Sequence, residues 1–294
     1  MTDFQSLARA AEAEMRHVFA ETPLQKNEHL SAIFEADIWL KREDLSPVRS
    51  YKLRGAFNAM RKRPDQRSFV CASAGNHAQG VAYMCRYFDV TGTIFMPVTT
   101  PQQKIQKTKI FGGENVSIQL VGDYFDDCLK AAQNFCQEQG AHFLSPFDDA
   151  DVIEGQASVA VEIERQLGST PDHIVLPVGG GGLSSGLLSY FGTTSQFTLV
   201  EPLGGACLWA ALIAGKPVKL DKVDTFADGA AVGQIGQRTF ECLKSIGLAN
   251  VLRIPEDRIC ITMLEMLNIE GIVLEPAGAL AIDALQDLGQ MIRG

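Results

Sequence analysis

Apolar and polar positions along the chain switch period repeatedly. Phe4, Leu7, Ala8, Ala11, Met15, Val18 and Phe19 recur at helical spacing, and Thr22-Pro23 is the expected stop, because a residue before proline is driven out of the helical region. Ile38-Trp39-Leu40 predicts a short strand. Beyond it, predicted strands at 68–72, 93–97, 115–121, 141–145, 173–178, 196–201 and 250–254 are separated by predicted helices. The helices are expected at 51–62, 77–87, 101–110, 123–139, 151–167, 183–191, 205–214 and 234–246, with two more at 256–268 and 276–290.

Strands alternating with helices of this length predict βαβ units, hence α/β architecture: open, mainly parallel sheets with helices on both faces. The short run HIVLPV (173–178), unbroken by alternation, fits a strand covered on both sides. No Pro-, Ser- or Gly-rich linker and no internal repeat marks a boundary, so two lobes built from one interleaved chain are expected. In open α/β sheets, ligands lie beyond the carboxyl ends of strands, and the turns there are the places to look for chemistry.

Composition narrows the class. The 294 residues are 46% hydrophobic and 21% charged, enough apolar material for a real core and roughly two domains. A net charge of −9, with Arg61-Lys62-Arg63 as the one short basic cluster, argues against nucleic acid or a membrane surface as partner. The seven cysteines are odd in number, scattered and without a C-x-x-C pair, so no disulfide framework or structural zinc site is expected. Reduced thiols in a cytoplasmic protein fit better. MTDFQSLARA lacks the basic-then-apolar form of a signal region, and no apolar run approaches the ~18 residues that span a bilayer.

Three segments carry candidate chemistry. VGGGGLSSG (178–186) follows a predicted strand and opens a helix. Four glycines let several backbone N–H groups converge, and the helix dipole adds partial positive charge, which suits a phosphate without any side-chain cation. The dinucleotide register fails, since Ser184 or Ser185 stands where its third glycine belongs, and no lysine completes a Walker loop. A plain glycine-rich turn is the competing reading. In KREDLSPVRSYKLRGAFNAM (41–60), Lys52 stands at a loop-to-helix junction ahead of Leu53, Ala56, Phe57 and Met60. An amine there, partly desolvated, near a phosphate cradle and pressed by Arg54, can become nucleophilic; a solvated lysine at a helix start is the simpler alternative. In CASAGNHAQG (71–80), Ser73, Asn76 and the N–H groups of the following helix make a set of donors for a carboxylate or phenolate oxygen. Here the competing reading is helix capping by Asn76, with His77 a satisfied helix residue.

Together these segments resemble the pyridoxal-phosphate enzymes of the tryptophan-synthase-β fold (fold type II), and among them the threonine dehydratases, or threonine ammonia-lyases. S-Y-K-L-R-G-A (50–56) resembles the segment whose lysine, here Lys52, binds the cofactor covalently. S-A-G-N-H-A-Q-G (73–80) is similar to the loop whose Asn, here Asn76, meets the cofactor's 3′-oxygen. Its Ser73, Ala74 and Asn76 stand where the family binds the substrate. Gly179, Gly180, Gly181, Gly182 and Leu183 resemble the phosphate cradle. Further similarity runs through MPVTTPQQK (96–104), SPFDDADVIEGQ (145–156), ADGAAVGQIG (227–236) and LEPAGALA (274–281), covering nearly all the chain from Thr22 onward.

The resemblance implies pyridoxal 5′-phosphate as cofactor and an amino acid as substrate. It implies β-elimination of L-threonine to 2-oxobutanoate and ammonia, the first step towards isoleucine, in a cytoplasmic homo-oligomer, a dimer or a tetramer. The lobes are then expected as 1–52 with 149–294, the larger and cofactor-binding, and 53–148, the smaller. Phe147 is a candidate for lining the pocket beside the substrate methyl, and CLWAALIAG (207–215) a candidate contact between subunits. Ala74 replaces the second serine of the serine racemases, which favours elimination over racemisation. Cys207 stands where those enzymes carry a metal-ligating carboxylate, so no metal is expected. Glu154-Gly155-Gln156-Ala157-Ser158 lacks the second glycine of the family's A-G-Q-G-T turn. The family's serine partner for the pyridine nitrogen would follow Gly294, and no regulatory domain is expected. The alternatives are an L-serine dehydratase or related amino-acid ammonia-lyase or racemase and, from another class, a shortened, non-catalytic cofactor-binding homologue.

Overall fold

The computed structural model describes residues 3–292. Its strands, in chain order, are β1 (Leu24–Lys26), β2 (Trp39–Lys41), β3 (Ser68–Ala72), β4 (Thr91–Met96), β5 (Val116–Leu120), β6 (His142–Phe143), β7 (His173–Pro177), β8 (Gln196–Pro202) and β9 (Val251–Ile254). Helices separate β3 through β9 almost throughout. The chain divides into two compact units, residues 1–21 with 43–159 and residues 22–42 with 160–294. These boundaries depart from those expected. Residues 1–21, 43–52 and 149–159 join 53–148 because Ala11, Met15, Phe19, Val48 and Val152 share one buried core with Leu53, Phe57 and Ala78. The lobe expected as 1–52 with 149–294 is therefore cut on both sides.

The first unit holds a parallel sheet of order β5-β4-β3-β6. β3 pairs with β4 over Ser68↔Thr91 to Ala72↔Phe95, and with β6 over two positions, Phe69↔His142 and Val70↔Phe143. Helices Lys52–Arg61, Asn76–Phe88 and Ala150–Gln156 carry most of the core residues around it. The first of these is buried nearly all round: besides Leu53, Ala56, Phe57 and Met60 it buries Arg54, Gly55, Asn58 and Ala59. It crosses Ala150–Gln156 so closely that a Cβ on Gly155 would lie 2.6 Å from the Arg54 carbonyl and 2.9 Å from Gly55 Cα.

The second unit holds the parallel sheet β7-β8-β9 and the antiparallel pair β1-β2. β1 and the helix Glu28–Phe34 have no counterpart in the predicted elements, because a three-residue strand with two exposed positions and a short helix that buries only Leu30 leave no readable period. Asn27 caps that helix, its Oδ1 accepting from Leu30 N at 2.7 Å.

Three predicted helices end or break early. Phe4–Met15, capped by Asp3 Oδ1 accepting from Ser6 N at 2.6 Å, closes through tightened turns at Arg16, His17 and Val18 well before Thr22. The predicted 151–167 helix becomes Ala150–Gln156 and Ser158–Leu167. Ala157, at the break, has φ −63° and ψ −15°, which any residue adopts, so the glycine absent there is not required. The predicted 276–290 helix becomes Pro276–Asp283 and Leu285–Leu288. The proposed contact segment 207–215 turns Cys207, Leu208 and Ala211 inward and leaves Ile213 exposed. Among the described residues, no helix is long and apolar enough to cross a membrane.

Candidate active site

Lys52 is the first residue of its helix, and the Tyr51 N-cap offers no side-chain hydrogen bond there. The Lys52 Nζ donates to the Pro146 carbonyl at 2.8 Å and lies 5.5 Å from the Tyr51 ring centroid. The expected pressure from Arg54 is corrected by its pairing. The Arg54 guanidinium, fully buried, forks onto Glu43 at 2.9 and 2.8 Å and donates to Ser158 Oγ at 3.0 Å, so its charge is met by a nearer carboxylate. Phe147 is half-buried on the stretch that follows Pro146.

The 73–75 turn leaves the end of β3 and leads into Asn76–Phe88. Its N-cap is Gly75, so Asn76 is the first helical residue and is not the cap that the competing reading required. Gly75 N donates to Ser73 Oγ at 3.2 Å, and nothing stands within 4 Å of where a Gly75 Cβ would be. The mouth of this helix is therefore roomy, with first-turn N–H groups that have no partner within the helix. One turn later Gly80 backs onto the Lys52 helix: a Cβ there would lie 2.9 Å from Leu53 N and 3.0 Å from the Lys52 carbonyl carbon. His77 is buried, with its Nε2 at 3.0 Å from the Leu144 carbonyl. Burial, with the Lys52 charge nearby, pushes the ring down to about 3. A carbonyl only accepts, so the neutral ring donates from Nε2.

The glycine loop belongs to the second unit. Val178 N donates to the Val200 carbonyl at 2.7 Å, continuing the β7–β8 pairing up to the loop. Gly181 is the N-cap of helix Gly182–Phe191, with φ +88°, where a side chain is strained. Crowding adds to this, since a Cβ there would meet Thr239 Cβ at 3.0 Å. Gly179 sits equally close to the backbone of Gly229 and Ala230. Thr239 Oγ1 donates to the Gly180 carbonyl at 2.7 Å, fixing that peptide of the loop. In the first turn, Ser184 Oγ is buried without a hydrogen-bond partner. The free amides of a helix start, a cradle that side chains would fill and an unpaired buried hydroxyl fit a phosphate dianion.

Behind this loop, Glu201 ends in a buried position and accepts from Leu208 N at 2.7 Å and Trp209 N at 2.8 Å, capping helix Cys207–Ala214. Burial pushes its carboxyl up to about 7 against the pull of those two N–H groups. Cys207 Sγ donates to the Gly179 carbonyl at 3.4 Å, and burial, then the Glu201 charge, pushes the thiol far up. Among the described residues, no group of three or more His, Cys, Asp or Glu is placed to hold a metal ion.

The structure thus sets Lys52 and the turn with Ser73, Ala74 and Asn76 in one unit, and Gly179 to Leu183 in the other. Sequence reasoning passed over Thr239, Ser184, Gly80 and the Pro146 carbonyl. Ser184, Gly80 and Pro146 stood inside segments already singled out; nothing local marks Thr239.

Residues 15–293 match the family described as "Pyridoxal-phosphate dependent enzyme", and the chain belongs to that family. Pyridoxal 5′-phosphate is its cofactor. Among curated relatives, the "L-threonine dehydratase biosynthetic IlvA" of Bacillus subtilis (strain 168) is 44% identical over 290 residues, covering 97% of this chain and 68% of that protein. The protein of the same name from Mycobacterium tuberculosis (strain ATCC 25618 / H37Rv) is 45% identical over 275 residues, covering 91% and 64%. The chain thus spans about two thirds of the length of these relatives. Among solved structures, the processed form of threonine deaminase isoform 2 from Solanum lycopersicum superposes with TM-score 0.87 at 35% identity, over 95% of this chain and 77% of that one.

Proposed function

We propose that this chain is a pyridoxal-phosphate-dependent ammonia-lyase converting L-threonine to 2-oxobutanoate and ammonia. The observation that carries the reading is the Lys52 amine, held at the Pro146 carbonyl beside the helix that starts at the Ser73–Asn76 turn. The names of the relatives at 44 and 45% identity support L-threonine as substrate.

When bound, pyridoxal 5′-phosphate supplies the electron sink for a carbanion at the substrate Cα. Lys52 would hold it covalently, and its amine, once free, would serve as general base for the substrate's Cα proton. Ser73, with the first amides of Asn76–Phe88, would receive the substrate carboxylate, and Asn76 would face the ring's 3′-oxygen. The Gly179–Leu183 amides and Ser184 would hold the phosphate. Threonine loses its Cα proton and β-hydroxyl as water; the released enamine takes up one water and yields ammonia, so no net water is consumed. Ala74 offers a methyl where a second face would need a proton donor, which favours elimination. The seven free cysteines support a cytoplasmic location. Exposed Ile261, Leu264, Ile269 and Val273 in the second unit support assembly into a dimer or tetramer.

Lys52→Ala is expected to lower ammonia release from L-threonine by at least ~10³-fold. Undiminished release would overturn the assignment. Initial rates on L-threonine and L-serine separate the two substrates, and D-serine formed from L-serine would contradict the role given to Ala74.

A further inference from the structure

A lysine side chain has four rotatable methylenes, so an amine that must react at one point has to be held there. Two features of one helix, Asn76–Phe88, bear on Lys52. Gly80 sets the Lys52–Leu53 backbone directly on that helix. His77, three residues earlier, donates to the Leu144 carbonyl at 3.0 Å.

Leu144 leads to Pro146, whose carbonyl holds Nζ at 2.8 Å. This stretch leaves the sheet early. β6 pairs with β3 at only two positions, and Leu144 N to the Val70 carbonyl, 2.7 Å, continues that pairing by one bond. Past that bond, His77 fixes the carbonyl side of Leu144, and Ser145 Oγ accepts from Asp148 N at 3.0 Å on the far side of Pro146. Burial keeps the His77 ring neutral, and so a steady donor, at ordinary pH.

We infer that His77 is a positioning residue for Lys52: its ring N–H fixes the Leu144–Pro146 stretch so that the Pro146 carbonyl presents the amine in one place. This rests on reading Lys52 as the cofactor-binding amine. One rigid helix then sets both ends of the lysine, its backbone through Gly80 and its amine through His77.

Glutamine carries an N–H at about the reach of His Nε2, whereas asparagine falls short, so His77→Gln and His77→Asn differ in the bond and little in polarity. The full chain, freed of cofactor, is mixed with pyridoxal 5′-phosphate, and the Lys52 adduct is followed by absorbance. It is then trapped with borohydride and located by peptide mass spectrometry, with melting temperature measured alongside. His77→Asn is expected to slow Lys52 labelling about tenfold or more, and His77→Gln to restore it to within about threefold, at matched foldedness. Equal labelling rates in Asn, Gln and unsubstituted chains would overturn the proposal alone. So would a loss in Gln as large as in Asn. Labelling of the unsubstituted chain elsewhere than Lys52 would overturn the Lys52 assignment and this proposal with it. If His77→Asn does not fold, His77→Gln against the unsubstituted chain still decides, since a threefold limit is set for it.

Discussion

The two units solve one local problem, a strand running through a turn into a helix, in different ways. In the first, the turn at Gly75 is open, and the crowding lies a turn later, where Gly80 meets the Lys52 helix. Charge there is carried by side chains with named partners: Arg54 on Glu43 and Lys52 on the Pro146 carbonyl. In the second, the crowding is in the turn itself. Gly179 and Gly181 are pressed by the 229–230 backbone and Thr239, and the positive potential comes from amides. The difference suits the two tasks proposed for them. A covalent amine needs a placed side chain, whereas a phosphate can be met by backbone that cannot rotate away.

Variants can break or sharpen this contrast. The largest effect is expected from Glu43→Ala, which leaves the buried Arg54 guanidinium without its carboxylate. A loss of about 3–5 kcal/mol, read by chemical denaturation, is expected. Amide exchange should rise across 43–159 and much less in β7 to β9; an equal rise in both would show that the units open together. Next, Gly80→Ala pushes a methyl into backbone and should cost about 1–3 kcal/mol, while Gly75→Ala, with open space around it, should leave stability within about 0.5 kcal/mol. If both lower the melting temperature alike, the contrast between an open turn and a crowded helix fails.

In the second unit, Gly181→Ala should cost about 1–2 kcal/mol through the left-handed φ. Ser184→Ala removes a hydroxyl that is buried without a partner. It is expected to hold or raise the melting temperature of cofactor-free protein while weakening pyridoxal 5′-phosphate binding severalfold by titration.

Smallest over any single pH unit are the opposed pH slopes, at most about 1.4 kcal/mol each. His77, lowered in the fold from 6.5 to about 3, binds a proton in the unfolded chain first, so stability falls as pH drops through that window. Glu201, raised from 4.5 to about 7, holds its proton longer in the fold, so stability falls as pH rises through that range. His77→Gln should remove the first slope and Glu201→Gln the second in pH-dependent denaturation; a slope that survives its substitution assigns it to another group.

Much of this was legible along the chain. Alternating periods predicted parallel α/β sheets, and the glycine loop, Lys52 and the Ser73–Asn76 turn all stand at strand or helix ends, where they were sought. Periods of two and 3.6 are set by neighbours a few residues away, so sequence alone determines which elements form and which turns carry donors. Partners far along the chain were not legible. The Lys52 amine meets a carbonyl 94 residues on, His77 one 67 residues on, and Thr239 the loop 59 residues back. All three bonds end on backbone oxygens, of Pro146, Leu144 and Gly180, and no residue type announces a carbonyl as a partner. Gln156 and Ala157 break a helix that its own pattern would continue, and Arg54 is met by Glu43 rather than left to press on Lys52. Those outcomes depend on which surfaces pack together, and close packing is decided by the whole tertiary structure at once.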